Sequence, residues 1–125
     1  MFKAMLIAGI GGFIGTCGRY LTGRLAHSLL PSLFPYGTFA VNVIGCFLIG
    51  IFFGLAEKTN LISPNMNLFL ITGFCGGFTT FSSFSDDMYL LLQNRHWSFF
   101  SLYLGLSILL GLLMVWVGRS LIKSA

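Results

Sequence analysis

Apolar and charged residues are sharply separated along this chain of 125 residues. Asp, Glu, Lys and Arg are absent from four runs: 4–18, 25–56, 59–85 and 96–118. With its flanking residues, each run comes close to or exceeds the about 20 residues that an α-helix needs to cross the hydrocarbon core of a bilayer. The pattern predicts an all-α membrane protein with one domain of four spans, at about residues 3–27, 34–56, 66–94 and 97–121.

The third predicted span contains a segment that is poorly suited to a helix. Residues 73–80 read Gly-Phe-Cys-Gly-Gly-Phe-Thr-Thr, and both glycine and β-branched residues have low helix propensity. We therefore expect the third helix to be broken in this segment. Backbone groups that a break frees inside a bilayer must be buried in protein, face water or meet an ion. Gly76, Gly77 and Thr79 are the expected sources of free carbonyl oxygens, which suit a hard cation such as Na⁺.

Composition excludes several classes of function. Charged residues make up 8% of the chain and hydrophobic residues 56%, whereas globular proteins carry about 25% charged residues, so a soluble domain is excluded. The seven basic residues are scattered singly, which leaves no basic patch for a nucleic acid. The three acids and two histidines lie near the ends of spans, so no general acid–base pair can assemble and an enzyme is disfavoured.

The basic residues are divided almost evenly between the two sides of the membrane. Four spans place Lys3, Lys58, Arg119 and Lys123 on one side. The opposite side receives Arg19, Arg24 and Arg95. Because an excess of Lys and Arg on one side sets the orientation, this chain is expected to insert both ways. Two opposed copies can then pair about a two-fold axis in the membrane plane.

Small residues recur at the spacing that lets helix backbones approach closely in lipid. The pairs are Gly11 with Gly15, Gly50 with Gly54, and Gly73 with Gly77. We predict that these pairs mark crossing points between helices and have no further function.

Polar residues inside the predicted spans are few, and they are functional candidates because burying them in a bilayer is costly. Asn42 shares one face of the second span with small residues, where it contributes to a binding site or hydrogen-bonds between helices. In the third span, residues 79–85 hold five hydroxyls in seven positions. Phe81 and Phe84 lie on one face of this segment, where their positive ring edges can meet an anion or simply pack.

Three further residues have two open interpretations each. Arg19 lies about two-thirds of the way along the first span, where it lines an aqueous vestibule that attracts anions or extends to the interface as an anchor. Tyr103 and Ser107 are four residues apart on one face of the fourth span. Their hydroxyls line a polar track or serve packing and interhelical hydrogen bonding.

The first three predicted spans each carry a motif. The first reads Gly11-Gly12-x-x-Gly15-x-x-x-Arg19-Tyr20 and the second Gly37-Thr38-x-x-x-Asn42-x-x-Gly45. The third, which is highly specific, reads Thr72-Gly73-Phe74-x-Gly76-Gly77-x-Thr79-Thr80-Phe81-Ser82-x-Phe84-Ser85. Together these motifs resemble the Fluc (CrcB) family of fluoride channels, over essentially the whole chain.

This resemblance implies a particular assembly and activity. Family members are antiparallel, dual-topology homodimers of the cell (inner) membrane that passively conduct F⁻ through two pores, each lined by both subunits. Such a channel lowers intracellular fluoride and gives fluoride resistance. The bilayer, the fluoride ion and a second copy of the chain are the implied partners, and no other protein is implied.

The resemblance also implies roles for individual residues. Asn42, Phe81 and Phe84 would line the pore. A polar track beside the phenylalanines would include Thr80, Ser82, Ser83 and Tyr103, with Ser107 a weaker member because the fourth span has little motif to align. Backbone carbonyls of Gly76 and Thr79 from both subunits would hold a structural Na⁺ on the dimer axis.

Two other classes of membrane protein share some of these features. A small multidrug exporter also has four spans and can insert both ways, but its proton-coupled exchange requires an acid in the first span, and residues 4–18 contain none. A non-transporting scaffold would explain the glycine pairs and the many phenylalanines, but not a hydroxyl cluster beside a helix break. The sequence therefore favours the channel.

Overall fold

The structure is a computed structural model that describes residues 1–59 and 62–124, and every regular element in those ranges is helical. Four helical stretches are long and apolar enough to cross a membrane: Phe2–Leu29, Tyr36–Lys58, Pro64–Gln93 and Trp97–Ser124. The prediction of four spans in an all-helical protein is confirmed at this level. The observed ends lie within three residues of the predicted ones. We label the first helix α1, the second α2 and the last α6.

The third stretch is built from several pieces. In chain order these are α3 (Pro64–Asn67), a π-helical segment (Leu68–Cys75), α4 (Gly76–Phe78) and α5 (Phe81–Gln93). Ser63 starts the stretch as an N-cap, since its side chain accepts a hydrogen bond from the Met66 amide. Thr79 (φ −89°, ψ 160°) and Thr80 (φ −152°, ψ 121°) are extended and separate α4 from α5.

The non-helical part of the third stretch is shorter than residues 73–80, the segment with low helix propensity. Gly73 and Gly77 of this segment remain helical because they pack backbone to backbone against α1, and tertiary packing outweighs intrinsic propensity. A Cβ on Gly73 would lie 2.5 Å from the Ala8 carbonyl oxygen and 3.0 Å from the Gly11 Cα. Only a residue without a side chain allows this approach.

Close contacts at glycines also join α2 to α6. A Cβ on Gly50 would lie 2.5 Å from the Val115 carbonyl oxygen, and one on Gly118 would lie 2.5 Å from the Phe47 carbonyl oxygen. All three predicted glycine pairs lie at such close contacts between helices, so their interpretation as packing positions is confirmed.

An aromatic cluster fixes the loop after α1 and α5 to α6. Tyr103 on α6 is fully buried, with its ring centroid 5.4 Å from that of Phe34 and 4.9 Å from that of Phe84. Phe99 adds an edge-on contact to Phe34 at 6.0 Å. Because Phe84 lies in α5, this cluster positions the helix that follows the extended residues.

Replacing Gly73 by Ala should destabilise the protein. The new methyl group would meet the backbone of α1, and overpacking of this kind costs about 1–3 kcal/mol. Thermal unfolding in detergent micelles should therefore show a lower Tm. Gly105→Ala is the matched control, because no other atom of the described chain lies within 4 Å of a Cβ at Gly105. Equal Tm values for the two variants would contradict the packing argument.

Candidate functional site

The extended residues between α4 and α5 are held by a side chain of α2. The Asn42 Nδ2 donates to the Thr80 carbonyl oxygen at 3.1 Å, and the Thr80 amide donates to the Asn42 Oδ1 at 2.8 Å. One amide side chain thus supplies a hydrogen-bond partner to both backbone groups of Thr80. Inside a membrane, an extended residue would otherwise leave both groups unpaired. This two-way bond joins residues 38 positions apart.

The neighbouring backbone groups have partners as well. The amide and the hydroxyl of Thr79 both donate to the Cys75 carbonyl oxygen, at 3.0 and 2.9 Å. The Arg19 Nε donates to the Gly77 carbonyl oxygen at 2.9 Å. The expectation that Gly77 offers a free carbonyl was therefore wrong, because the α1 backbone packs beside this turn and brings an arginine to it.

The two residues predicted as cation ligands flank α4, with Gly76 at its start and Thr79 directly after it. Gly76 is exposed, and the atom nearest to a Cβ placed there is the Ile71 carbonyl oxygen at 3.9 Å, so a second chain has room to approach. Thr79 is half-buried beside it. Within residues 1–59 and 62–124, no group of three His, Cys, Asp or Glu could hold a metal ion. Backbone carbonyl oxygens are suitable ligands for a hard cation, and they are the ligands that this segment could offer.

An inner cavity of about 330 Å³ lies beside the extended residues. It brings together six predicted site residues from three spans: Asn42, Thr79, Thr80, Phe81, Phe84 and Ser107. The hydroxyl oxygen of Ser107 is buried and has no hydrogen-bond partner in the described part of the chain. Such a group costs about 1–3 kcal/mol unless a ligand or water meets it.

The two phenylalanines differ in their surroundings. Their ring centroids are 6.0 Å apart and the ring planes are inclined by 43°. Phe84 also packs on Tyr103, whereas Phe81 is 79% exposed in the single chain. Packing within one chain therefore does not explain why a large apolar ring stands at position 81.

An outer cavity of about 530 Å³ lies between α1, α2 and the start of α5. Its wall carries Arg19, Arg24 and His27 from α1, and it contains no Asp or Glu among the described residues. Thr80 lines both cavities, so they adjoin at the extended residues. Arg24 and His27 were not predicted as site residues. For His27 the signal was its spacing of eight residues from Arg19, with Gly23 halfway between them, which puts these three on one side of α1. Arg24 follows Arg19 by five residues, so this spacing does not include it.

Three other predicted site residues do not line the inner cavity. Ser83 lines the outer cavity, and its amide donates to the Thr80 Oγ1 at 3.2 Å as the N-cap bond of α5. Ser82 is exposed, with its Oγ 3.3 Å from that of Thr80. Tyr103 lines neither cavity, and its hydroxyl donates to the Asp87 carboxylate at 3.1 Å. Asp87 was not among the predicted site residues.

Comparison with known proteins gives consistent matches along the chain. The family model described as CrcB-like protein, Camphor Resistance (CrcB), matches residues 6–119. A protein of Flavobacterium psychrophilum named fluoride-specific ion channel FluC is 45% identical, over 97% of this chain and 98% of its own length. Proteins with the same name from Bacteroides fragilis and Chlorobium luteolum are 48% and 47% identical, covering 93% and 92% of this chain and 93% and 88% of their own lengths.

Replacing Asn42 by Asp should destabilise the extended residues. The carboxylate keeps the shape but has no N–H for the Thr80 carbonyl, so two oxygens would face each other in a half-buried place. We expect a loss of about 2–3 kcal/mol in the free energy of unfolding, measured as a lower Tm in detergent.

Asn94→Asp is the matched control for this substitution. The Asn94 Nδ2 also donates to a backbone carbonyl, that of Leu90 at 3.0 Å, but this bond is exposed and water can replace it. A Tm of Asn42→Asp no lower than that of Asn94→Asp would show that the two-way bond is not needed.

Proposed function

The chain belongs to the CrcB family, and we infer from this membership that it is a fluoride-specific ion channel. It is accordingly a multi-pass membrane protein and not an enzyme. The observation that carries the assignment to residues of this chain is the meeting of the two cavities at Thr80. We propose that F⁻ moves from the outer cavity, past Thr80, into the inner cavity.

Hydrogen-bond donors along this route can replace the water that a fluoride ion loses. Three residues that carry hydroxyls, Thr80, Ser83 and Ser107, line one cavity or the other. The Asn42 Nδ2 carries two N–H groups, and the bond to Thr80 uses one of them. We propose that the second N–H serves the anion, so that Asn42 both holds the backbone and lines the route.

Ring edges supply the remaining positive potential. The edges of Phe81 and Phe84 carry partial positive charge and attract an anion without binding it as tightly as a full cation would. Weak attraction suits conduction, because an ion that binds strongly cannot leave. Tyr103 then supports the route by packing on Phe84, while Ser82 bonds the Thr80 hydroxyl.

Conduction through this route is proposed to be passive. The acids of the chain are Glu57, Asp86 and Asp87, and none of them lines the inner cavity of the described chain. Without a carboxylate there, a proton has no carrier that could couple it to the anion. The direction of flux then follows the fluoride gradient and the membrane voltage. In the inner membrane of a cell, such a channel exports F⁻ and lowers intracellular fluoride.

Purified protein in liposomes should release fluoride when a K⁺ ionophore balances the charge, and no proton gradient should be needed. A fluoride electrode measures the efflux, and protein-free liposomes at the same pH report leakage of HF through lipid. Chloride-loaded liposomes under the same conditions should release little. Absence of fluoride efflux, or uphill fluoride movement that strictly requires a pH gradient, would overturn the channel proposal.

We further propose that the working unit is an antiparallel homodimer of chains inserted in both orientations. The nearly even division of basic residues supports dual insertion. The exposed ring of Phe81 and the room beside Gly76 support a second chain at the extended residues. In this assembly the third span works as a discontinuous helix whose break at Thr79 and Thr80 lies inside the membrane.

A Na⁺ on the dimer axis is part of this proposal. Gly76 and Thr79 of one chain supply two backbone carbonyls, and a second chain would double the set to four oxygens. Such a cation would supply positive charge at the interface and satisfy carbonyl oxygens that lipid cannot.

Replacing Na⁺ by a large organic cation should weaken the dimer. Light scattering in detergent should report a dimer in Na⁺ and a smaller mass, or a lower Tm, in its absence. Gly76→Val should have the same effect even in Na⁺, since, apart from its own helical turn, no atom of the described single chain lies closer than 3.9 Å to a Cβ at Gly76, and a second chain would meet the added side chain. A dimer of unchanged stability without Na⁺ would refute the cation site, and a monomer in Na⁺ would refute the assembly.

A further inference from the structure

The ends of α2 and α6 meet at a third cavity of about 490 Å³, which shares no lining residue with the inner or the outer cavity. The two helices approach closely here because α2 carries Gly54. A Cβ on Gly54 would lie 3.5 Å from the Arg119 Cα and 3.1 Å from the Ile122 Cβ. Lys58 also joins the two ends, since its Nζ donates to the Ile122 carbonyl oxygen at 2.8 Å. The charged side chains at these helix ends are thereby held next to one another.

Positive charge exceeds negative charge around this third cavity. Its described lining carries three basic residues and one acid: Lys58, Arg119, Lys123 and Glu57. The Arg119 Nη1 donates to the Glu57 Oε1 at 2.6 Å, and the guanidinium carbon lies 5.2 Å from the centre of the Phe53 ring. The Nε and Nη2 of Arg119 have no hydrogen-bond partner in the described part of the chain. Two contacts therefore fix the guanidinium, and its remaining N–H groups can bind a further anion.

One side of α6 continues from this charged end into an apolar strip. Trp116 and Lys123 are seven residues apart, so they lie on the same side of the helix. Toward the middle of the span, that side carries Leu112 and Leu109, which are 71% and 66% exposed. The Trp116 ring is 64% exposed, and its indole N–H has no partner among the described residues. Tryptophan is typical of the level at which lipid headgroups meet acyl chains.

We propose that the third cavity binds the headgroup of an anionic phospholipid. Arg119 and Lys123 contact the phosphate, the Trp116 N–H donates to a lipid oxygen, and an acyl chain lies along Leu112 and Leu109. Arginine binds phosphate oxygens through several N–H groups at once, and basic pockets between membrane helices bind phospholipid headgroups. The excess of positive charge favours an anionic lipid over a zwitterionic one, which brings a positive charge of its own. This inference is independent of the proposed channel function.

The fluorescence of the two tryptophans tests the site in a bilayer. Trp97 and Trp116 lie toward opposite ends of α6 and are similarly exposed, at 60% and 64%. The single-tryptophan variants Trp97→Phe and Trp116→Phe are reconstituted into phosphatidylcholine vesicles that contain a minor fraction of brominated phosphatidylglycerol or of brominated phosphatidylcholine. Bromine on an acyl chain quenches a tryptophan beside it. Phosphatidylglycerol should quench Trp116 more strongly than phosphatidylcholine does, whereas Trp97 should show little preference.

Charge variants of the protein that retains Trp116 identify the residues that bind the lipid. Lys123→Gln should lower the selectivity for phosphatidylglycerol about fivefold, the effect of one lost basic contact at a membrane surface, and Lys123→Arg should preserve it. Lys3→Gln is the matched control, because Lys3 is exposed at the same end of the four spans and lines none of the three cavities. It removes the same charge and should leave the selectivity unchanged. Arg119→Gln should lower the selectivity as well, and size-exclusion elution shows that each variant is folded.

The outcomes separate a lipid site from general attraction and from a site for a free anion. Equal quenching of Trp116 by the two lipids, or an equal preference at Trp97, overturns the proposal. A loss in Lys3→Gln as large as that in Lys123→Gln also overturns it, since net charge alone then explains the preference. If inorganic phosphate abolishes the preference and sodium chloride of equal ionic strength does not, the cavity takes free phosphate and the lipid proposal is wrong. None of these results depends on fluoride efflux, so the channel proposal stands or falls separately.

Discussion

A lipid bilayer offers no hydrogen-bond partner to a backbone amide or carbonyl, so the extended residues Thr79 and Thr80 must be satisfied by the protein itself. Asn42 does this for Thr80 with one two-way bond, and Cys75 accepts both donors of Thr79. Arg19 adds a bond to the carbonyl of Gly77, in the helical turn before these extended residues. These few contacts allow irregular backbone within a span, and that irregular backbone is where the two cavities adjoin.

The glycine contacts make this arrangement possible. Gly73 lets the third stretch pack against α1, which brings Arg19 within reach of the Gly77 carbonyl. Gly50 lets α6 pack against α2, the helix that carries Asn42. Small residues that serve only packing therefore determine where the polar ones meet. The two cavities differ in their linings. Cationic side chains line the outer cavity, whereas hydrogen-bond donors and aromatic rings line the inner one.

Much of the fold could be predicted because lipid imposes a simple rule on sequence. Runs without charge gave the four spans to within three residues, and glycine spacing gave the crossing points. The position of the extended residues could not be predicted, because propensity marked residues 73–80 and packing kept most of them helical. The partners of Thr80 and Gly77 lie 38 and 58 residues away in sequence, so only the folded chain shows these bonds. Tyr103 was expected on a polar track, and its bond to Asp87 depends on how α5 meets α6.

The central claim is that the anion passes beside Phe81 at the extended residues, and fluoride efflux from the Phe81→Ile variant tests it most directly. Isoleucine keeps the apolar character and removes the positive ring edge, and the exposed Phe81 ring contributes little to the stability of the single chain. Phe13→Ile is the matched control, since Phe13 is 71% exposed on α1 and lines neither cavity. The account predicts that Phe81→Ile loses most of its efflux while it still elutes as a folded dimer, and that Phe13→Ile keeps both its efflux and its dimer. Undiminished efflux from folded Phe81→Ile would contradict the proposed route.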